Sequence, residues 1–140
     1  MTQEEFIKKL KREDYYYEIE GDKVVVACGR YVYLDDLTSL PPGVEFRNGD
    51  FIRLDSLTSL PPGVVFENGG DVDLRALTSL PPGVEFKNGG NVFLKSFTSL
   101  PPGVEFKNGG SVHPYPKFNI KGIDSKRLLN VMIKQGVLER

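Results

Sequence analysis

The sequence predicts a mainly β repeat solenoid, leucine-rich-repeat-like in its parallel coils of 20 residues, with α-helical caps at its N- and C-terminal ends. Three observations predict it. LTSLPPG begins at residues 37, 57 and 77, and FTSLPPG at residue 97, a strict period of 20 without insertion or deletion. Six columns of each unit are apolar almost throughout; in the third copy they are Leu77, Leu80, Val84, Phe86, Val92 and Leu94. Both ends of the chain abandon the repeat and take up the spacing of amphipathic helices.

The N-terminal cap is expected over residues 1–22. Thr2 is placed as the N-cap of a first helix, and Glu5 completes a capping box. Phe6, Ile7 and Leu10 form one apolar stripe. YYYEIE, residues 15–20, reads as a strand that starts the sheet.

The solenoid is expected over residues 23–116. A partial copy opens it, because KVVVACGRYVYLDD (Lys23 to Asp36) falls in register with GVEFKNGGNVFLKS. In each full unit Val84/Phe86 and Val92/Leu94, or their equivalents, are two residues apart, the period of a strand with one apolar face. NGG separates the two strands, and SLPPG makes a corner where paired prolines keep the chain out of a ladder. Gly43, Gly63, Gly83 and Gly103 follow the prolines, where a positive φ is expected. Asn48, Asn68, Asn88 and Asn108 fit turn chemistry or a ladder of amides bonding from coil to coil. One unit cannot bury six apolar side chains, but stacked units can, each gaining about 1.5–3 kcal/mol per side chain before chain entropy is set against it.

Two strand geometries satisfy these columns. Hairpins across NGG would set Phe46 opposite Ile52 and Val44 opposite Leu54. A parallel coil would instead pair each unit with the next. The connector LTSLPPG has two apolar positions of its own, which read as a third inward side and favour the coil.

The C-terminal cap is expected over residues 117–140. Pro114 and Pro116 are placed where the ladder should end. IDSKRLLNVMIKQG then reads as a helix, capped by Asp124 or Ser125, striped by Leu128, Leu129, Met132 and Ile133, and stopped by Gly136.

At LTSLPPG the chain resembles the short bacterial leucine-rich repeats, proteins encoded by phages among them, whose units run near 20 residues and carry LTSLP and LPPGL. The resemblance implies a curved right-handed solenoid that binds proteins through its strand face. It also implies an adaptor or an inhibitor of a host protein.

Composition narrows the function. Eighteen basic and nineteen acidic residues leave a net charge of −1, which argues against a nucleic-acid partner. The charge is uneven along the chain: residues 1–22 carry −3, residues 23–116 carry −2 and residues 117–140 carry +4. No apolar run reaches the roughly 20 residues of a membrane span, and MTQEEFIKKL lacks the apolar core of a signal peptide. The single Cys28 can form no internal disulfide, so a reducing, cytoplasmic setting is expected.

Catalytic chemistry is not expected. Cys28 and the single His113 fall at opposite ends of the array, and no GxSxG, phosphate loop, HExxH or CxxC is present. Asp71 and Asp73 are too few to make a dedicated cation site. Neither metal nor cofactor is expected.

The variable outward positions of the second strand are the functional handle. Candidate partner-binding residues are Tyr31, Tyr33, Phe51, Arg53, Asp73, Arg75, Phe93, Lys95, His113 and Tyr115. Tyr and Arg anchor interfaces, and Tyr31, Tyr33 and Phe51 would form one aromatic cluster. That cluster would either face a partner or pack under the N-terminal helix or strand. The first strand's outward face, with Glu45, Arg47, Val65, Glu67, Glu85, Lys87, Glu105 and Lys107, reads as a solubilising charge ladder of weak surface pairs. The expected function is a non-enzymatic binding module for a protein partner. The alternatives are a protein that sequesters a nucleotide or similar anion and a structural protein that self-associates through its ends or caps.

Overall fold

The computed structural model describes residues 1–96 and 104–114. A helix, α1 (Gln3–Arg12), precedes eleven strands: β1 (Tyr17–Glu20), β2 (Lys23–Val26), β3 (Val32–Tyr33), β4 (Val44–Phe46), β5 (Ile52–Arg53), β6 (Val65–Phe66), β7 (Val72–Asp73), β8 (Glu85–Phe86), β9 (Val92–Leu94), β10 (Glu105–Phe106) and β11 (Val112–Pro114). They build two sheets, ordered β1-β2-β4-β6-β8-β10 and β3-β5-β7-β9-β11. From β2 and β3 onward, strands pair in parallel with the strand 20 residues on: Phe46 lies beside Phe66, Phe66 beside Phe86, and Ile52 beside Val72. The chain is therefore a parallel β-solenoid of about four turns, and not a row of hairpins.

The connector explains the choice. Leu57, Leu60, Leu77 and Leu80 are all buried, so LTSLPPG supplies a third inward side that a hairpin array would leave in water. Gly43, Gly63 and Gly83 turn the corner at φ of 77°, 82° and 83°. Gly103 lies outside the described residues. Inside the coil Phe46, Phe66, Phe86 and Phe106 stack with centroids 5.1–5.3 Å apart and planes within 8°.

The Asn column serves both its own turn and the coil before it, but through main-chain carbonyls: no Asn among the described residues takes the left-handed conformation, and no amide ladder forms. The Asn68 Nδ2 donates to the carbonyls of Gly70 and Asp71 in its own turn, and to the carbonyl of Asp50 in the preceding coil. Asn48 and Asn108 repeat the pattern, so each amide binds main chain and not another amide. The first Gly of NGG is fixed by close approach: a Cβ on Gly69 would overlap the carbonyl of Gly49.

The N-terminal end is closed by three devices. Thr2 and Glu5 form the reciprocal capping box of α1. Phe6 and Leu10 are fully buried against the open core, with Ile7 partly buried beside them. Lys9 is buried too, its Nζ 2.6 Å from Asp36 and 3.0 Å from Glu13. The Tyr15 hydroxyl accepts the Tyr33 N–H at 2.9 Å and lies 3.3 Å from the Tyr33 carbonyl, satisfying the first edge of the second sheet. β1 closes the other sheet by pairing antiparallel with β2 through a turn at Gly21.

At the far end Pro114 is the last residue of β11, paired with Leu94, and Pro116 lies outside the described residues. The helix expected over residues 117–140 lies outside the described residues. Among the described residues α1 is the one helix, and none there is long and apolar enough to cross a membrane.

Candidate functional site

Alternation places the odd-numbered residues of β3, β5, β7 and β9 on the outer face of the second sheet, while Val32, Ile52, Val72 and Val92 point inward and are fully buried. Parallel pairing then stacks Tyr33, Arg53, Asp73, Phe93 and His113 in one column. Residues from different coils thus meet as neighbours.

At the N-terminal end of this face Tyr31 stacks on Phe51 at 5.4 Å and 10°, and Tyr33 lies 4.8 Å from Tyr31 and 5.3 Å from Phe51. Tyr31 and Tyr33 are each 39% exposed. The reading that packed this cluster under the N-terminal helix or strand is therefore corrected: α1 and Tyr15 close the edge of the sheet and leave its outer face open. The Arg53 guanidinium sits 4.8 Å over the Tyr33 ring. Asp35 holds it through Nε at 3.0 Å and a second nitrogen at 2.7 Å, and Asp55 lies 3.2 Å from its Nε. Arg30 lies 4.5 Å over Tyr15 and 5.6 Å over Tyr31, while donating to the carbonyls of Glu13 and Asp14 that end α1. Both cations are thus held by contacts within the chain.

The middle of the face is acidic and mostly engaged. Asp71 accepts the Asn91 N–H at 2.8 Å, and Asn91 accepts the Ser111 N–H at 2.9 Å, so this column ties coil to coil. Asp73 pairs with Arg75 at 3.4 Å. Burial, then the charges of Asp73 and Asp35, push the Asp55 carboxyl above its ordinary value. Among the described residues no group of three His, Cys, Asp or Glu could hold a metal ion. Farther along, His113 stacks on Phe93 at 5.0 Å and 16°, and the Lys95 Nζ is 6.0 Å from the Phe93 centroid. Tyr115 lies outside the described residues. The structure therefore gathers Tyr31, Tyr33, Phe51 and Arg53 into one patch. Asp73 with Arg75 and Phe93 with Lys95 and His113 form separate groups along the same face.

The first sheet's outer face differs from its expected character at one place. Glu45 is 5% exposed, bridged to Lys23 at 2.7 Å and to Arg47 at 2.7 Å. The Lys23 hydrogen bond, aided by Arg47, holds its carboxyl below the ordinary glutamate value. Glu85–Lys87 and Glu105–Lys107 are the exposed pairs the sequence predicts, at 3.2 and 3.0 Å. Cys28 is a buried free thiol near the Arg30 carbonyl. Beside the start of β1 an open cleft of about 320 Å³ is bounded by Lys11, Asp14, Tyr15, Tyr16 and Tyr17.

Sequence reasoning missed Lys9, Tyr15 and Glu45. Each answers a partner 18 to 27 residues away at the irregular end of the coil; Lys9 and Tyr15 lie outside the repeat, and the column of Glu45 marks it only as a surface pair. Compared with protein-family models, with curated proteins and with solved structures, the chain finds no match in any of the three.

Proposed function

We propose that this chain is a non-enzymatic binding module that holds a protein partner on the outer face of its second sheet. The observation that carries the reading is the exposed Tyr31–Tyr33–Phe51 cluster beside an Arg53 already fixed by Asp35. Rings anchor interfaces because they bury large areas with little rotamer freedom to lose; an arginine has more to lose, and here Asp35 meets that ordering cost in the free protein. The resemblance of LTSLPPG to short bacterial leucine-rich repeats supports the narrower reading, an adaptor or an inhibitor of a host protein in the cytoplasm.

The test is a parallel capture from a lysate of the source cell with tagged wild type and a Tyr31→Ala/Tyr33→Ala/Arg53→Ala variant. A protein retained by wild type and lost by the variant, with circular dichroism unchanged, is the expected result. A partner retained equally by both would move the site away from this face.

A further inference from the structure

The first sheet ends in β1, and among the described residues β1 has a neighbour on one side only. The Ala27 N–H donates to the Tyr16 carbonyl at 3.0 Å, and β1 pairs with β2 as Tyr17 with Val26, Glu18 with Val25 and Ile19 with Val24. In an antiparallel ladder, hydrogen-bonded and non-bonded pairs alternate. Tyr16, Glu18 and Glu20 therefore direct their backbone groups at β2. Tyr17 and Ile19 direct theirs outward, away from the sheet. Around this free edge lie the two most exposed large apolar side chains of the described residues, Tyr16 at 59% and Ile19 at 56%. The cleft walled by Tyr16 and Tyr17 opens at the start of the strand.

Charge selects the occupant. Glu20 pairs with Arg47 at 2.8 Å, but Glu18 has only the Tyr16 hydroxyl, at 2.9 Å, and no basic partner among the described residues. A second copy is a poor fit, because the register that pairs β1 with itself most fully centres on Glu18 and sets Glu18 opposite Glu18. We propose that β1 is a second binding edge, independent of the aromatic face, which takes an extended segment of another protein as an added strand. That segment carries Lys or Arg opposite Glu18 and an apolar residue opposite Ile19. Backbone pairing with Tyr17 and Ile19 supplies the binding, and the basic residue sets the choice of partner.

The probe is the peptide acetyl-Lys-Val-Lys-Val-Lys-amide, titrated into the full isotope-labelled chain. With Lys opposite Glu18, its Val residues meet Tyr17 and Ile19 and give their N–H groups to the edge. Saturation is expected to slow exchange of the Tyr17 and Ile19 amides at least tenfold, while the amides of β6 and β8 keep their rates. Acetyl-Lys-Pro-Lys-Pro-Lys-amide has the same charge without those donors and is expected to leave the two amides unprotected. Ile19→Pro removes an outward donor while sparing the β2 ladder, and Glu18→Lys reverses the charge. Each should abolish the protection, and Tyr31→Ala/Tyr33→Ala/Phe51→Ala should not. Equal effects of the two peptides, or no protection at saturation, would overturn the proposal. So would a concentration-dependent dimer that protects Tyr17 and Ile19 without peptide, because the occupant would then be a second copy. Loss of protection in the aromatic variant would make this edge part of the other face and not a separate site.

Discussion

Two groups of aromatic rings run along this solenoid, one inside it and one outside. Phe46, Phe66, Phe86 and Phe106 are stacked at 5.1–5.3 Å, and Tyr31, Tyr33 and Phe51 approach within 4.8–5.4 Å. Tyr31 and Phe51, like the inner rings, stand one coil apart, where strand pairing sets a step of about 4.8 Å, while Tyr31 and Tyr33 are neighbours along a single coil. Ring contact by itself therefore says nothing about use. What differs is surroundings: Phe46, Phe66 and Phe86 are fully buried, while Tyr31 and Tyr33 are 39% exposed with arginines over them. The planes differ as well, within 8° inside and spread from 10° to 66° outside, as expected where the core no longer dictates the tilt. The inner rings are a repeated answer to a packing problem. The outer three stand together at one end, and a separate pair, His113 on Phe93, lies farther along the same face.

The sharpest way to break this comparison is to remove a ring from each group. Phe66→Ala empties a site between two coils and should cost about 3–5 kcal/mol in urea unfolding. A cost below about 1 kcal/mol would mean that the inner stack does not hold the coils together. The second test concerns Glu45, which lies on an outer face yet is as buried as the core. Its carboxyl is held below the ordinary value by Lys23 and Arg47, so its contribution is present above the unfolded glutamate range of about 4.3. The contribution is lost as pH falls through the lowered folded value. Wild type should therefore lose stability on acidification, and Glu45→Gln should be less stable at neutral pH with a shallower acid slope in the urea midpoint. Parallel profiles for the two proteins would remove Glu45 from the acid response. The smallest effect is expected outside: Tyr31→Ala should change unfolding stability by no more than about 0.5 kcal/mol. A loss as large as that of Phe66→Ala would return the cluster to the core and leave the proposed binding face without its anchor.

The coil was readable because its chemistry repeats. Val84, Phe86, Val92 and Leu94 recur in fixed columns, and Pro-Pro-Gly and Asn-Gly-Gly mark the corners between them. The capping box of Thr2 and Glu5 was readable because it is local. Exposure of Tyr31 and Tyr33 was not, since the same residues could lie under α1, and only the path of Tyr15 along the sheet edge decides the matter. The buried Lys9 was hidden because its partner Asp36 comes 27 residues later. Glu45 occupies the same column as the half-buried Glu85 and Glu105, and the neighbouring β1–β2 hairpin with its Lys23 buries it further.

The absence of any insertion among the units makes the molecule a graduated ruler. Tyr33 and Phe93 stand in one column three rungs apart, and every rung between them enters and leaves the backbone at equivalent points. Gain or loss of one whole unit would move the Phe93–His113 pair relative to the Tyr31–Tyr33–Phe51 cluster by one step of about 4.8 Å, and would redraw neither group. The distance between the two aromatic groups is thus encoded as a number of copies, a quantity that tandem sequences change by whole steps.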